Sequence, residues 1–297
     1  MSQPSILVTG ASGHLGRRVV DLLLAKGAEN IIATTRKPEA LGDLAAKGVD
    51  VRRADFEDEA SLESALAGVE RALLVSTDAL DKPGRRTSQH LAAVRAMVKA
   101  GVKYVLYTSL PNAANTTVTI AVDHAKTEEA IVASGLDYTI LRNNLYADYF
   151  PYSLAPAVAS GKLVDAKGEG AVAWITREDC AQAAAGALLA AKAGDRIAVD
   201  VTGPEPVTSA QLAKLLGELV GREIVHVSVT PEAMLEQFLA SGMPRGIAEA
   251  MASFDGAIAK GDLSNVTDAV SRYAGRPPTS VNTFLAQHAA TLKAAAK

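Results

Sequence analysis

The amino-acid sequence predicts an α/β fold, with a doubly wound parallel sheet followed by a smaller, mostly helical C-terminal domain. Short apolar runs alternate with helical periods through the first half of the 297 residues. A glycine-rich turn joins the first run to the first helical period, and helix-capping residues recur through the second half. Strands that alternate with helices of this length form right-handed crossovers, so we expect a parallel sheet with helices on both faces.

Six strands and their connecting helices are predicted in the first half of the chain. We expect the strands at 5–9, 30–34, 49–53, 71–76, 103–109 and 137–142, because each run is apolar and bounded by turn residues. After a first helix that ends near Gly27, further helices are expected at 38–47, 61–68, 88–100 and 123–134.

The second half is marked by helix N-caps. Thr176 with Asp179 and Thr208 with Gln211 resemble capping boxes, and Thr230 precedes a proline at the first helical position. Two β-like runs, 196–202 and 223–229, lie between these helices. We therefore divide the chain into residues 1–145 and a smaller α/β portion, 146–297, from which the chain is free to cross back to the sheet.

The composition and charge of the chain indicate which cellular compartment and which binding partners to expect. The net charge of −3 gives no basic face for nucleic acid or a membrane surface, and no apolar run reaches the ~20 residues of a membrane span. Cys180 is the single cysteine, and the five histidines are scattered, so we expect no disulfide and no metal site. The N-terminus lacks the features of a signal peptide. We expect a cytoplasmic protein, either a monomer or a homodimer.

The glycine turn from Gly10 to Gly16 (GASGHLG) follows the first strand and opens the first helix. In such a turn the first glycine permits the tight bend, the second lets backbone N–H groups approach a pyrophosphate, and the third allows close packing of helix on strand. The helix N-terminus adds partial positive charge. The turn predicts a dinucleotide site in a Rossmann-type domain over 1–145, with contacts from Gly10, Ser12, Gly13, His14, Leu15 and Gly16.

The end of the second strand indicates which dinucleotide binds. An acid at this position would hold the ribose 2′-hydroxyl of NAD, whereas the sequence has Arg36, which suits the 2′-phosphate of NADP. The alternative is that Arg36 and Lys37 are a solvated start of the next helix. We expect NADP(H) as cofactor, with NAD(H) accepted more weakly. Ligands lie over the carboxyl ends of parallel strands, which adds Asp55, Phe56, Ser76, Thr77, Ser109 and Asn143 to the predicted cofactor site.

Several of these residues together resemble a known family. The glycine turn, Arg36, Asp55 with Phe56, residues 107–109 (YTS) and residues 141–144 (LRNN) resemble the NmrA-like branch of the atypical short-chain dehydrogenases. Within that branch the chain is most similar to bacterial NAD(P)H:quinone oxidoreductases of the second type and to triphenylmethane dye reductases. The resemblance covers nearly the whole chain, and it implies a small C-terminal domain closing over an aromatic substrate.

The sequence departs from the catalytic pattern of the wider family. No tyrosine is followed four residues later by lysine, and Tyr138 with Arg142 comes nearest, on a predicted strand. Isoflavone-type reductases use a lysine at the start of the helix after strand five, where this chain has His124, with Lys126 two residues later. The missing pair disfavours alcohol oxidation, which needs a base. It affects quinone reduction less, because hydride transfer gives a stabilised phenolate.

Three residues are therefore candidates for catalysis. His124 is a possible proton donor, because an unperturbed pKa of about 6.5 is near the working pH; the alternative is a solvent-facing histidine. Lys126 would contact the ribose or nicotinamide, or would be a surface lysine. Asn143 would position the nicotinamide amide or a substrate carbonyl, or would simply end the strand in a turn.

Aromatic side chains cluster after the sixth strand in a chain with one tryptophan, seven tyrosines and five phenylalanines. The rings of Tyr146, Tyr149, Phe150 and Tyr152 are predicted to form a wall for a flat substrate, with Trp174 as a further contact. Packing between the two halves is the alternative.

These predictions combine into an NADPH-dependent reductase that transfers a hydride to a quinone or a similar conjugated aromatic acceptor. The alternative is a non-catalytic NADP(H)-sensing regulatory protein of the NmrA type, which the missing tyrosine and lysine would permit. A plant-type ether or isoflavone reductase is disfavoured by His124 in the lysine position.

Overall fold

The computed structural model describes residues 3–295. Its strands are β1 (Ile6–Val8), β2 (Ile31–Thr35), β3 (Asp50–Arg53), β4 (Arg71–Leu74), β5 (Tyr104–Ser109), β6 (Asp137–Asn143), β7 (Lys162–Asp165), β8 (Ala171–Val172), β9 (Arg196–Val201), β10 (Val207–Thr208) and β11 (Val225–Ser228). The helices of the first half are α1 (His14–Ala25), α2 (Gly42–Ala45), α3 (Glu59–Ala65), α4 (Arg85–Ala100) and α5 (Ala121–Ala133). Those of the second half are α6 (Phe150–Ser153), α7 (Ala155–Ser160), α8 (Arg177–Ala190), α9 (Ser209–Val220), α10 (Pro231–Ala240), α11 (Arg245–Ala259), α12 (Ala269–Ala274), α13 (Val281–Gln287) and α14 (Ala289–Ala294).

The central sheet has seven strands in the order β3-β2-β1-β4-β5-β6-β9, and every neighbouring pair is parallel. The chain builds outward from β1 to β3 and then restarts at β4 on the other side of β1. This reversal opens a crevice at the carboxyl ends of β1 and β4, where ligands of doubly wound sheets bind. The predicted Rossmann-type fold is confirmed.

The six predicted strands are all present, with ends that differ by a few residues at most. The predicted run at 196–202 becomes β9, which pairs with β6 from Tyr138 with Arg196 to Asn143 with Val201. The predicted helix at 38–47 is instead a 3-10 turn, Pro38–Leu41, followed by the short α2. The functional division at residue 145 stays a prediction. Both α8 and β9, which come after this residue, belong to the layers of the central sheet.

Two helical layers cover the sheet. On one face α1 packs on α8 and α8 on α12, around buried residues such as Val19, Leu23 and Ala184. Close approach is essential there, because a Cβ at Gly186 would lie 1.8 Å from the Tyr273 carbonyl oxygen. The other face carries α3, α4 and α5 around a second core that includes Met97.

The remainder of the second half forms two small sheets with their own helices. β7 pairs with β11 in parallel, and β8 with β10 antiparallel. Thr208 and Gln211 cap α9 as a reciprocal capping box. At α8 the Asp179 amide donates a hydrogen bond to the Thr176 hydroxyl at 3.0 Å. The Asp179 carboxylate accepts a hydrogen bond from the same hydroxyl, and not from the Thr176 backbone amide as in a full capping box. No helix within residues 3–295 is long and apolar enough to cross a membrane.

Candidate active site

The glycine turn has the geometry that a phosphate-binding loop requires. Gly10 has φ of +61°, a left-handed conformation that glycine adopts without strain, and its carbonyl accepts the Gly13 amide at 2.9 Å. A Cβ at Gly16 would lie 2.5 Å from the Gly10 carbonyl oxygen, so α1 can pack on the turn only through glycine. Among the described residues no side chain caps α1 at Gly13. The first-turn N–H groups of α1 are therefore available to an anion.

The end of β2 lies beside this turn. The Thr35 hydroxyl donates to Ser12 Oγ at 3.2 Å, and the Ala11 amide donates to the Thr34 carbonyl at 3.0 Å. Arg36 follows directly and is exposed. The Ala54 amide donates to the Thr35 carbonyl at 3.0 Å, which brings the next residue, Asp55, to the same edge. The structure thus brings Ser12, Arg36 and Asp55 together. Phe56, one residue further, is half-buried against the core under α3 and α4.

The segment that follows β4 is hydrogen-bonded to both β5 and α4. The Ser76 amide donates to Thr108 Oγ1 at 2.9 Å, and the Thr77 amide donates to His90 Nε2 at 2.9 Å. Ser109 is buried, and its hydroxyl donates to Glu128 Oε1 at 2.5 Å. Its predicted contact with the cofactor stays a prediction.

A buried network of Arg86, His90, Tyr107 and His124 lies below these strand ends. Arg86 Nη2 is 3.0 Å from His124 Nε2, and the Tyr107 hydroxyl is 2.9 Å from His124 Nδ1. Because a guanidinium only donates, Nε2 accepts, and Nδ1 carries the proton that is donated to Tyr107. Burial, with the positive charge of Arg86, holds the pKa of His124 well below 6.5.

The structure excludes one of the two expectations for His124. Its ring is 4% exposed, so it is not a solvent-facing histidine. Both ring nitrogens have hydrogen-bond partners inside the protein, which does not favour proton donation to a substrate, and that role stays a prediction. Lys126 is exposed on α5, and a helical offset of two residues turns it to a different face from His124. The structure does not bring these two side chains together.

Asn143 ends β6 at the same edge of the sheet. It is 5% exposed, and its Nδ2 donates to the Tyr146 hydroxyl at 3.2 Å. Within residues 3–295, Asn143 Oδ1 is the one buried side-chain oxygen or nitrogen with no hydrogen-bond partner. An acceptor left without a partner costs about 1–3 kcal/mol, so this oxygen is suited to a ligand N–H or O–H group.

Sequence reasoning missed Arg177, the first residue of α8. Its guanidinium carbon lies 5.2 Å from the ring centroid of Tyr146 and 4.7 Å from that of Tyr149. A backbone bridge between Tyr146 and Ile175 brings the two segments together. No local pattern marks this contact, because about 30 residues separate the arginine from the tyrosines. Tyr149 is 56% exposed, and its predicted contact with a substrate stays a prediction.

Phe150 is placed differently from the prediction. Its ring is 2% exposed and packs against Trp174, at a centroid distance of 4.8 Å, and against Phe284, at 6.2 Å. Phe150 therefore belongs to the core of the second half, where packing and not substrate contact accounts for it. Trp174 is half-buried at the edge of that core, and its substrate contact stays a prediction.

The described residues offer no group of three or more His, Cys, Asp or Glu side chains that could hold a metal ion. What the edge of the sheet does offer is an uncapped helix N-terminus after a glycine turn, an exposed arginine at the end of β2, and an unpartnered acceptor at the end of β6. These are the groups that a phosphate-rich dinucleotide would use.

Comparison with known proteins supports an enzyme with this architecture. The chain is 35% identical over 277 residues to quinone oxidoreductase 2 of Escherichia coli, covering 93% of this chain and 96% of the relative. It is 29% identical to NAD(P)H azoreductase of Xenophilus azovorans, over 98% of this chain and the full relative. The prediction of an oxidoreductase is confirmed.

Two solved structures match over almost their whole length. Triphenylmethane reductase of Citrobacter sp., complexed with NADP(H), superposes with a TM-score of 0.88 at 35% identity, covering 96% of this chain and 100% of that one. The NADPH-dependent quinone oxidoreductase of Escherichia coli, complexed with NADPH, gives a TM-score of 0.88 at 34% identity, with 95% and 99% covered. The family model for the NmrA-like family matches residues 2–285. The chain belongs to the NmrA-like family.

Proposed function

We propose that the protein is an NADPH-dependent reductase that transfers a hydride to a quinone or a similar conjugated aromatic acceptor. The observation that carries the proposal is the buried, unpartnered Oδ1 of Asn143, at the same edge of the sheet as the uncapped N-terminus of α1. The pyrophosphate in the middle of a dinucleotide binds at a helix N-terminus, and the nicotinamide end carries an amide that donates hydrogen bonds. Relatives named as quinone and dye reductases support the choice of acceptor class.

The residues present fit NADP(H). The first-turn amides of α1 would hold the pyrophosphate, Arg36 the 2′-phosphate, and Asn143 Oδ1 the carboxamide of the nicotinamide. When bound, NADPH supplies the hydride. NAD(H) would bind more weakly, because Arg36 would then have no phosphate to contact.

The chain's own residues would bind and orient the acceptor. The free edge of the exposed Tyr149 ring would contact a flat acceptor, and Asn143 would fix the orientation of the nicotinamide. The chain does not need a buried acid, because a quinone gives a stabilised phenolate that takes its proton from water. This agrees with the internal hydrogen bonds that both nitrogens of His124 make.

The test is oxidation of NADPH, followed by its absorbance, against a panel of quinones and cationic dyes. We expect turnover with at least one quinone. Asn143→Ala should lower kcat by about three- to tenfold, the value of one hydrogen bond, with less effect on NADPH affinity. The exposed Asn115→Ala serves as the control. A sample that binds NADPH but reduces none of these acceptors would overturn the proposal in favour of a dinucleotide sensor.

A further inference from the structure

Arg177 lies next to the site and is not explained by the fold. Its side chain is 25% exposed and stacks on the rings of Tyr146 and Tyr149. Tyr146 accepts a hydrogen bond from Asn143, the residue with the unpartnered Oδ1. The guanidinium is thus one ring away from the group that we assign to the nicotinamide, and it is directly against the exposed ring that we assign to the acceptor.

The hydrogen-bond donors of this guanidinium are unused. Across residues 3–295 the Arg177 side chain donates no hydrogen bond to the protein, and the nearest carboxylate oxygen, Oδ1 of Asp148, is 3.9 Å away. The other Asp148 oxygen accepts the Arg177 backbone amide at 2.8 Å. By contrast, Arg276 lies 2.7 Å from the buried Asp179 and Arg142 lies 2.5 Å from Glu128. This guanidinium lies over two rings and its N–H groups have no acceptor among the described residues, so it is suited to bind an anionic oxygen.

We propose that Arg177 is a catalytic residue that donates hydrogen bonds to the acceptor oxygen on which negative charge develops. This rests on the proposed function. The acceptor gains one hydrogen with its electron pair, and the cofactor is oxidised by the same two electrons. In a quinone this leaves one negative charge on a ring oxygen, giving a hydroquinone monoanion that takes one proton from solvent. A donor positioned for that oxygen stabilises the transition state more than the neutral quinone.

The same geometry makes Arg177 a determinant of acceptor class. When a triarylmethane cation receives a hydride at its central carbon, its charge falls from plus one to zero and no anionic oxygen forms. Arg177 then has no oxygen to stabilise in the transition state, and its positive charge repels the cationic dye. The residue should therefore favour quinones over cationic dyes.

The test compares quinone and dye reduction in Arg177→Met, which keeps an unbranched apolar chain beside the two rings. We expect kcat/KM for a neutral quinone to fall about ten- to a hundredfold, below the full value of an oxyanion donor because the site is partly exposed. For a cationic triarylmethane dye, kcat/KM should be unchanged or higher than in the wild type. Arg177→Lys should restore part of the quinone rate, because it keeps the charge but not the fork. Arg95→Met, on an exposed arginine of α4 paired with Glu59, is the matched control.

A binding measurement separates this inference from the proposed function. Calorimetry on the NADP⁺-loaded protein would compare 1-naphthoate with 1-naphthalenemethanol, two probes that cannot be reduced there. The wild-type protein should prefer the anion, and Arg177→Met should lose that preference while keeping its melting temperature. Equal losses of quinone and dye reduction, or an unchanged preference for naphthoate, would overturn the role of Arg177. If the wild type reduces neither acceptor class, the proposed function fails and the catalytic role of Arg177 fails with it. If the wild type reduces quinones but Arg177→Met keeps the naphthoate preference, the inference alone is overturned.

Discussion

Two regions meet at the carboxyl edge of the sheet, and they are built in different ways. The turn from Gly10 to Gly16 is one contiguous stretch whose function depends on backbone shape. The cluster of Asn143, Tyr146, Tyr149 and Arg177 joins the end of β6 to the start of α8 through a backbone bridge at Ile175. The first region can therefore be recognised from the spacing of its glycines, whereas the second forms only when distant parts of the chain come together on folding.

The largest effect is expected from two valines placed in the turn. A Cβ at Gly13 would be 3.3 Å from the Gly10 carbonyl oxygen, a contact that a small shift relieves, whereas at Gly16 the distance would be 2.5 Å. We expect Gly13→Val to fold but to lose at least about a hundredfold in affinity for either dinucleotide, because the side chain would fill the pyrophosphate space. Gly16→Val should instead destabilise the fold, by about 1–3 kcal/mol or more.

Calorimetric titration and thermal unfolding of both variants check this pair. If Gly13→Val bound dinucleotide normally with an unchanged melting temperature, the turn would not be the pyrophosphate site. If Gly16→Val were as stable as the wild type, α1 would not need a glycine to pack on the turn.

The next effect concerns Arg36, the exposed side chain at the end of β2. Loss of a charge-assisted bidentate contact costs about 1.5–3 kcal/mol, so Arg36→Ala should weaken NADPH by about ten- to a hundredfold. NADH affinity should hardly change, because NADH lacks the 2′-phosphate. Lys37→Ala is the control, since a flexible ammonium has no fixed fork. Equal losses for the two dinucleotides in a fluorescence titration would show that Arg36 does not contact the phosphate.

Much of the fold and part of the site follow from local signals. The strands of the sheet, the capping box at Thr208 and the glycine turn after β1 each come from a short stretch of sequence. The ionisation of His124 could not be predicted, because its pKa is lowered first by burial and then by Arg86, which lies 38 residues away on α4. Phe150 failed because aromatic clustering does not reveal which rings the fold encloses. Arg177 was missed for the same reason, since only tertiary contact places it on two tyrosines.

The pKa values of the two buried histidines, His90 and His124, are also set by tertiary packing. His90 is fully buried, and burial lowers its pKa from 6.5 to about 3, while His124 shifts in the same direction. Between about pH 6.5 and 3 the unfolded chain therefore takes up a proton at His90 that the folded protein does not, so the free energy of unfolding falls as the pH falls. At about pH 5 the loss from this one ring is about 2 kcal/mol.

Urea unfolding at a series of pH values measures this loss. His90→Gln, which cannot titrate, should be less stable near neutral pH but should show a shallower acid slope, by up to about one proton. The same acid slope in His90→Gln and the wild type would show that His90 titrates normally in the folded state.

The smallest effect is expected at Tyr149, whose ring has one side on Arg177 and is 56% exposed. An edge-to-face contact between an acceptor and the free edge of this ring would be worth about 0.5–1.5 kcal/mol, and it is shared by the bound acceptor and the transition state. Tyr149→Ala should therefore raise KM for a quinone by about two- to tenfold and leave kcat nearly unchanged. Tyr149→Phe should keep the wild-type KM, because the ring and not the hydroxyl makes the contact. Tyr152→Ala, on a neighbouring ring that is 80% exposed, serves as the comparison and should change KM less. Steady-state kinetics at saturating NADPH would distinguish this from a loss in kcat, which would mean that Tyr149 acts through the orientation of Arg177 instead of through the acceptor.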